Sequence, residues 1–281
     1  MKKTVITADS TFDMPPEMIR ALDIRVIASY VVLGEKQLPD YPDITQKDLF
    51  AFYQQTRTLP KTAAANPGEY AQFFSGLAGE DHAVIHIAKS SGISSCCANA
   101  ALAAADLPNV YVIDSENLSG GSAMLAIEAA RLADSLPPEE LCAHLNAWKK
   151  RIDGNFVIES LEYLQKGGRC SALALMGANL LQLRPEIVIR DGSMTVGKKY
   201  RGTFERVLFN YLDDKLKNLP AYETDMAYIC HTVTDPALLE RLVNYVKDRK
   251  IFREVIEYPA SSAISCHCGP NTFGMFCLRK N

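Results

Sequence analysis

The chain has 281 residues, of which 48% are hydrophobic and 22% charged, and its net charge is −3. These values are ordinary for a folded globular protein and leave room for one large domain or two smaller ones. The small negative charge and the lack of a long basic run exclude the electrostatic footprint of a nucleic-acid-binding protein.

The N-terminal segment MKKTVITADST has an apolar run that stops at Asp9, which is too short for a signal peptide. No apolar stretch reaches the roughly 18 residues that a membrane-spanning helix needs. We therefore expect a soluble cytoplasmic protein. In that compartment the eight cysteines are expected to be reduced core thiols rather than disulfides.

Residues 1–154 alternate between apolar runs and helical patterns, which indicates an α/β domain with a mainly parallel sheet. The predicted extended segments are 4–9, 24–34 with a turn near Gly34, 83–88 and 110–114. One predicted helix follows Pro15–Pro16, a second covers 45–55 and a third follows Ser95. A long fourth helix is predicted to end near Leu136, and a fifth begins at Pro137–Pro138.

Residues 155–281 form a second predicted α/β domain, with a mixed sheet. Its predicted strands are 155–160, a hairpin turned at Asp191-Gly192, 225–232 and 252–258. Its predicted helices are a short one in LEYLQKGGR, a small apolar one over 172–183, and longer ones over 204–218 and 237–250. Two α/β units joined without a linker favour a small-ligand site in the cleft between them.

The most informative stretch is a buried strand, AVIHIA, followed by the serine turn (Ser90 to Ser95) and an alanine-rich helix. Hydroxyls and free backbone N–H groups at a helix N-terminus are suited to hold a carboxylate or phosphate. The alternative is an ordinary helix cap with spare serines.

Two other segments carry candidate polar groups. In Gly167-Gly168-Arg169, the glycines allow a sharp bend and the guanidinium is suited to grip an anion. The alternative there is a C-capping glycine pair with a solvated arginine. His267 is predicted to lie in a tight turn, beside Gly269 and Pro270, where a structural role is the alternative to a functional one.

These segments, in this order, resemble the DegV family of bacterial fatty-acid-binding proteins over nearly the whole chain. The matching motifs are Asp9-Ser10-Thr11, Lys61-Thr62, Pro67-Gly68-Glu69-Tyr70, Ser90-Ser91-Gly92-Ile93-Ser94, Asp114-Ser115 with Ser119-Gly120, Leu161-Glu162-Tyr163-Leu164 with Gly167-Gly168-Arg169, and His267-Cys268-Gly269-Pro270-Asn271.

The resemblance implies a carrier that encloses a long acyl chain between two domains and has no catalytic residue, metal or further cofactor of its own. Thr62 and Ser94 would bind the fatty-acid carboxylate, with His267 near the same head group. The implied partner is a separate fatty acid kinase, of the dihydroxyacetone-kinase-like type, which docks at Arg169 and phosphorylates the carboxylate. Transient membrane contact would accompany lipid exchange.

Ser119 and Gly120, from the matching motifs, are further expected pocket residues, and Phe273 is also expected to line the pocket. Two departures from the family pattern concern the carboxylate site. Alanines at 63 to 65 replace the family's Ser-Gln-Pro, and Ser95-Cys96 replaces its Gly-Thr, so that Ser95 offers a second hydroxyl.

Other readings come from the residues alone. Ser94, His267 and Asp114 supply the groups of a hydrolase triad, but the pattern G-x-S-x-G is absent. Cys266, His267 and Cys268 stand too close together for zinc ligation, and no G-x-G-x-x-G dinucleotide motif follows a strand. Asp9 and Asp114 are predicted to be helix caps. An interaction protein with a vestigial pocket is a further alternative to a carrier.

Overall fold

The computed structural model describes residues 3–40, 44–170, 183–217 and 221–280. The apolar helix predicted over 172–183 lies, apart from its last residue, outside the described residues. Within these ranges the chain forms thirteen strands and ten α-helices. None of the helices described is both long and apolar enough to cross a membrane.

The strands, in chain order, are β1 (Lys3–Asp9), β2 (Arg25–Ile27), β3 (Tyr30–Leu33), β4 (Lys36–Pro39), β5 (Lys61–Ala63), β6 (His82–Ala88), β7 (Val110–Asp114), β8 (Ile152–Ile158), β9 (Arg184–Arg190), β10 (Ser193–Tyr200), β11 (Tyr222–His231), β12 (Glu254–Pro259) and β13 (Thr272–Arg279). The helices are α1 (Pro16–Ala21), α2 (Gln46–Thr56), α3 (Pro67–Ser75), α4 (Cys96–Ala104), α5 (Ser119–Leu132), α6 (Pro138–Trp148), α7 (Glu162–Lys166), α8 (Phe204–Lys217), α9 (Pro236–Lys247) and α10 (Ser262–Cys268).

The first half contains a four-stranded, fully parallel sheet in the order β2-β1-β6-β7. Its central strand β6 is almost entirely buried, as expected for a parallel strand that is covered on both faces. The predicted parallel sheet is confirmed. The loops after β1, β6 and β7 all leave the same edge of this sheet, which is where ligands bind in open α/β sheets.

The second half contains a six-stranded mixed sheet in the order β10-β9-β8-β13-β11-β12, in which only β11 and β12 are parallel neighbours. The predicted hairpin is confirmed, because Asp191 and Gly192 both have positive φ, as a tight two-residue turn requires. Strand β8 begins at Ile152, so residues 152–154 already belong to this sheet.

A small antiparallel sheet, β4-β3-β5, was not predicted. Its strands have only three or four residues each, and β5 brings Thr62 opposite Val31. The main hydrophobic core joins the two halves, since Ile85 and Leu125 from the first half share it with Tyr228 and Phe276 from the second. The two sheets are therefore packed through one continuous interior.

The segment predicted as a tight turn around His267 is instead helical, and that prediction was wrong. His267 lies in the last turn of α10, and the turn proper follows at Gly269, which has φ 71°. The helix begins after Ser261, whose hydroxyl accepts a hydrogen bond from the Ile264 N–H. A serine cap of this kind stabilises a short helix even where the amino-acid composition of the helix alone would not predict one.

Candidate functional site

A cavity lies between the carboxyl edge of the parallel sheet, one face of the six-stranded sheet and α10. Its walls are mainly apolar, as is typical of ligand-binding pockets. The apolar lining includes Ile93, Leu118, Phe156, Leu164, Met194, Ile264 and Phe276. The polar side chains that line it are Thr62, Lys89, Ser94, Ser119, Arg169, His231, His267 and Thr272.

Two predicted head-group residues meet at this cavity. Thr62 Oγ1 and His267 Nε2 are 2.9 Å apart, although the residues are 205 positions apart in the chain. Strand β5 supplies the threonine and α10 supplies the histidine, so the pair joins the two halves of the molecule. The structure thus brings Thr62 and His267 together beside one pocket.

The other ring nitrogen, His267 Nδ1, is buried and has no hydrogen-bond partner among the described residues. It packs against Gly167, where an added Cβ would lie 2.5 Å from Nδ1. Gly167 is therefore a glycine because the imidazole occupies the space of a side chain. This contact links the Gly167-Gly168-Arg169 motif to the histidine motif.

Burial, together with the nearby charges of Arg169 and Lys89, lowers the pKa of His267 to about 3. The imidazole is neutral at physiological pH and carries one N–H proton. In the tautomer with that proton on Nε2, the ring donates to Thr62 Oγ1. The hydroxyl hydrogen of Thr62 is then free to donate to an acceptor in the cavity.

The serines of the turn have different partners. Ser90 Oγ donates to the Gly192 carbonyl (2.7 Å) and Ser91 Oγ to Asp114 (2.5 Å). Ser94 lines the cavity, and its Oγ accepts from the Cys96 N–H and donates to Cys96 Sγ (3.2 Å), a weak acceptor that a ligand carboxylate could replace. Ser95 is exposed, lies outside the cavity lining and makes no side-chain cap bond to α4. Only Ser94 of these four is placed to meet a ligand.

Two cations lie at the cavity, and one of them was missed in the sequence. Lys89 is the first residue after β6, its side chain lines the pocket, and its backbone N–H donates to Asp9 at 2.7 Å. A lysine directly after a buried parallel strand and before a hydroxyl-rich turn is the signal that would have found it. Arg169 is exposed, lines the same pocket and donates to the Gly167 carbonyl at 2.6 Å.

The further expected pocket residues Ser119, Gly120 and Phe273 are placed differently from one another. Ser119 lines the cavity and donates to the Asp13 carboxylate. Gly120 lies behind the wall, where an added Cβ would be 2.7 Å from the Phe276 ring. Phe273 faces away from the cavity and packs against Tyr211 on the other side of the sheet, because neighbouring strand residues point to opposite faces.

Neither predicted aspartate cap is realised. Asp9 makes no side-chain cap bond to the turn that follows β1 and instead accepts from Tyr70 Oη and the Lys89 N–H. Asp114 accepts from Ser91 and from the Glu116 N–H. Both carboxylates hold loops at the sheet edge rather than helix ends.

The groups of a hydrolase triad are present but are not connected. Asp114 is bonded within the serine turn, and His267 Nδ1 has no carboxylate partner within the described ranges. A triad needs the histidine to bond to both the nucleophile and the acid. In the same described part of the chain, no group of three His, Cys, Asp or Glu side chains is arranged to hold a metal.

Comparison with known proteins assigns the chain to a family over nearly its whole length. The family model described as "Uncharacterised protein, DegV family" matches residues 3–280. This chain belongs to the DegV family. It is 28% identical over 283 residues to a DegV domain-containing protein of Clostridium perfringens, with 100% of both chains covered.

Some of the similar proteins have names that include a ligand. The chain is 28% identical over 284 residues to a fatty acid-binding protein of Thermotoga maritima, covering 97% of this chain and 96% of that one. It is also similar to the structure titled "Fatty Acid Binding of a DegV family Protein from Thermus thermophilus", with a TM-score of 0.91, 25% identity and 100% coverage of both chains. The predicted family and the two-sheet α/β fold are confirmed.

Proposed function

We propose that this DegV protein is a cytoplasmic carrier that binds one long-chain fatty acid in its cavity and presents the carboxylate to a separate fatty acid kinase. The observation that carries the proposal is the cavity itself: its walls are mainly apolar, with a neutral Thr62–His267 pair and two cations at its lining. Such a pocket matches an amphiphile with one anionic end.

The energetics favour a long chain. Each buried methylene contributes about 0.8 kcal/mol, so a chain of about 16 carbons gains on the order of 10 kcal/mol from burial alone. Ordering the chain and losing its free motion offset part of this gain. The head group therefore needs only enough donors to avoid an unsatisfied buried charge.

Thr62 and Ser94 are the proposed carboxylate donors, and neutral His267 holds the Thr62 hydroxyl in place. Lys89 and Arg169 provide positive potential for an anionic ligand. A carboxylate held by hydroxyls keeps one oxygen accessible, as phosphoryl transfer from a kinase requires. Ser95 is exposed and does not line the cavity, so it is not among the proposed carboxylate contacts.

Presentation to a kinase is the second part of the proposal and rests on the family resemblance. Arg169 supports it, because this guanidinium is exposed while also lining the ligand cavity. A docked partner at Arg169 would stand beside the head group. The kinase, rather than this chain, would supply the phosphoryl-transfer groups.

The test begins with mass spectrometry of an organic extract from purified protein, beside the native mass of the intact complex. One fatty acid per chain is the expected result. An empty cavity that also takes up no added fatty acid would overturn the carrier function.

Acyl-phosphate formation with a fatty acid kinase and ATP then tests presentation. Ser94→Ala is expected to lower both affinity and acyl-phosphate yield, whereas the matched variant Ser95→Ala keeps both. Equal behaviour of the two variants would contradict the assignment of the head-group site. Fatty-acid binding without any acyl-phosphate formation would leave a carrier that does not serve such a kinase.

A further inference from the structure

The floor of the cavity is the inner face of β8, β13 and β11, where residues pair in rows across three strands. In one row Gly274 pairs with Phe156 on one side and with Cys230 on the other. All three residues line the cavity. Paired residues of antiparallel strands share a face, so the row is a surface in which the middle side chain is missing.

The rows on either side carry larger side chains and are partly covered, although Phe276 and Thr272 also line the cavity. Phe276 is paired with Gly154 and Tyr228, and Gly120 of α5 packs directly on Phe276 and Tyr228. A Cβ added at Gly120 would lie 2.7 and 2.8 Å from those two rings, so the helix is in close contact with this row.

On the other side, the end of α10 covers the row of Thr272. The Thr272 hydroxyl donates to the Cys268 carbonyl at 3.0 Å, and Thr232 Oγ1 donates to the Gly269 carbonyl at 2.7 Å. The Gly274 row therefore forms a trough between two partly covered rows, and Phe276 and Thr272 form its sides.

Resting on the proposed fatty-acid binding, we propose that the acyl chain crosses the sheet in this trough, over Gly274, and that the side chains at 156 and 230 determine which acyl chains fit. The backbone at Gly274 does not have positive φ, so conformational freedom does not explain the glycine. Space does: an added Cβ would lie 3.0 Å from Phe156 Cβ and 3.1 Å from the Asn155 carbonyl oxygen.

The first test fills the trough with Cys230→Leu. Its matched control is Cys277→Leu, because Cys277 has the same 5% exposure as Cys230 but packs in the core on the opposite face of the sheet. Extracted and competitively bound fatty acids from both proteins are compared with the wild type. Cys230→Leu is expected to shift the profile to shorter chains, with about fourfold lower affinity for each methylene that loses its place.

The second test widens the trough with Phe156→Leu, controlled by Phe273→Leu on the opposite face. Phe156→Leu is expected to raise the proportion of branched or cis-unsaturated chains relative to straight saturated ones. Both phenylalanine truncations lower stability, so thermal unfolding is measured beside the profile. Only the variant at the cavity is expected to change which chains bind.

The outcome separates this inference from the carrier function. If the wild-type protein neither contains fatty acid nor binds fatty acid that is added, the carrier function itself is overturned. A wild type that binds fatty acid, with Cys230→Leu and Phe156→Leu profiles no different from those of their controls, would overturn the trough alone. Because Gly274 itself is left intact in these variants, the crowding that an added Cβ would meet at this position does not enter the comparison.

Discussion

Thr62→Val removes one hydroxyl while nearly keeping the shape of the side chain. His267 Nδ1 already has no partner among the described residues, so loss of the 2.9 Å contact to Nε2 leaves the buried ring without a hydrogen bond. An unsatisfied buried polar group costs about 1–3 kcal/mol, and a hydrogen bond to a charged group contributes about 1.5–3 kcal/mol. The variant is therefore expected to lose stability in the empty state and, separately, about 10- to 150-fold in fatty-acid affinity.

The assay is displacement of a fluorescent fatty acid, with thermal unfolding of lipid-free protein measured in parallel. Thr62→Ser is the control, because it keeps the hydroxyl and removes only a methyl group; its affinity is expected to stay within a few-fold of the wild type. If Thr62→Val binds fatty acid as tightly as Thr62→Ser, the hydroxyl does not contact the carboxylate and the head-group geometry proposed above is refuted.

Three further predictions follow from the charges around the site. Because burial lowers the pKa of His267 to about 3, its ring signals in NMR spectra are expected not to titrate from mildly alkaline to mildly acidic pH, and titration near neutrality would contradict its burial. Lys89→Gln is expected to weaken fatty-acid binding and reduce its salt dependence, whereas Lys89→Arg keeps both; equal loss in the two variants would exclude a purely electrostatic role. Burial raises the pKa of Asp13 to about 7, so this group binds its proton more tightly in the folded state than in the unfolded state. The contribution of Asp13 to stability is therefore expected to fall as pH rises from about 4 to about 7, by up to about 1.4 kcal/mol per pH unit. Asp13→Asn is expected to remove this contribution in chemical denaturation measured across that range, and an unchanged slope would contradict it.

Local sequence signals predicted the regular parts of the fold. The apolar run of β6 and the Asp191-Gly192 turn are both properties of a few neighbouring residues, and both predictions were confirmed. The β4-β3-β5 sheet was not predicted, because each of its strands is very short and β3 pairs with β5, about thirty residues further along the chain. Helix α10 was not predicted, because the propensities of its cysteines and serines and of the Gly-Pro that follows favour a turn. The Ser261 cap and the packing of the helix favour helical structure instead.

The candidate site was also predictable only in part, because it depends on contacts between residues that are far apart in the sequence. The family motifs pointed to Thr62, Ser94 and His267, but contact between residues 205 positions apart depends on the tertiary fold. Phe273 shows how sensitive such predictions are: moving by one residue along β13 exchanges the cavity face for the opposite core, and Gly274 lines the pocket instead.

The position of His267 depends on the docking of α10 against the first half. Asp13 accepts a hydrogen bond from the Ser261 N–H (2.9 Å), and Asp40 accepts one from the Ala263 N–H (2.6 Å), over separations of 248 and 223 residues. Burial raises the pKa of both carboxylates, which shows that placing them there has a cost.

That cost is offset by the N–H groups and the positive end of the helix. A fatty acid that touches Thr62 and Ser94 from one half and His267 and Gly274 from the other meets its full set of partners only while α10 is docked. Its binding must then stabilise the docked arrangement by the same free energy with which docking favours binding. In this view the two halves form the ligand site jointly, and neither sheet would retain it alone.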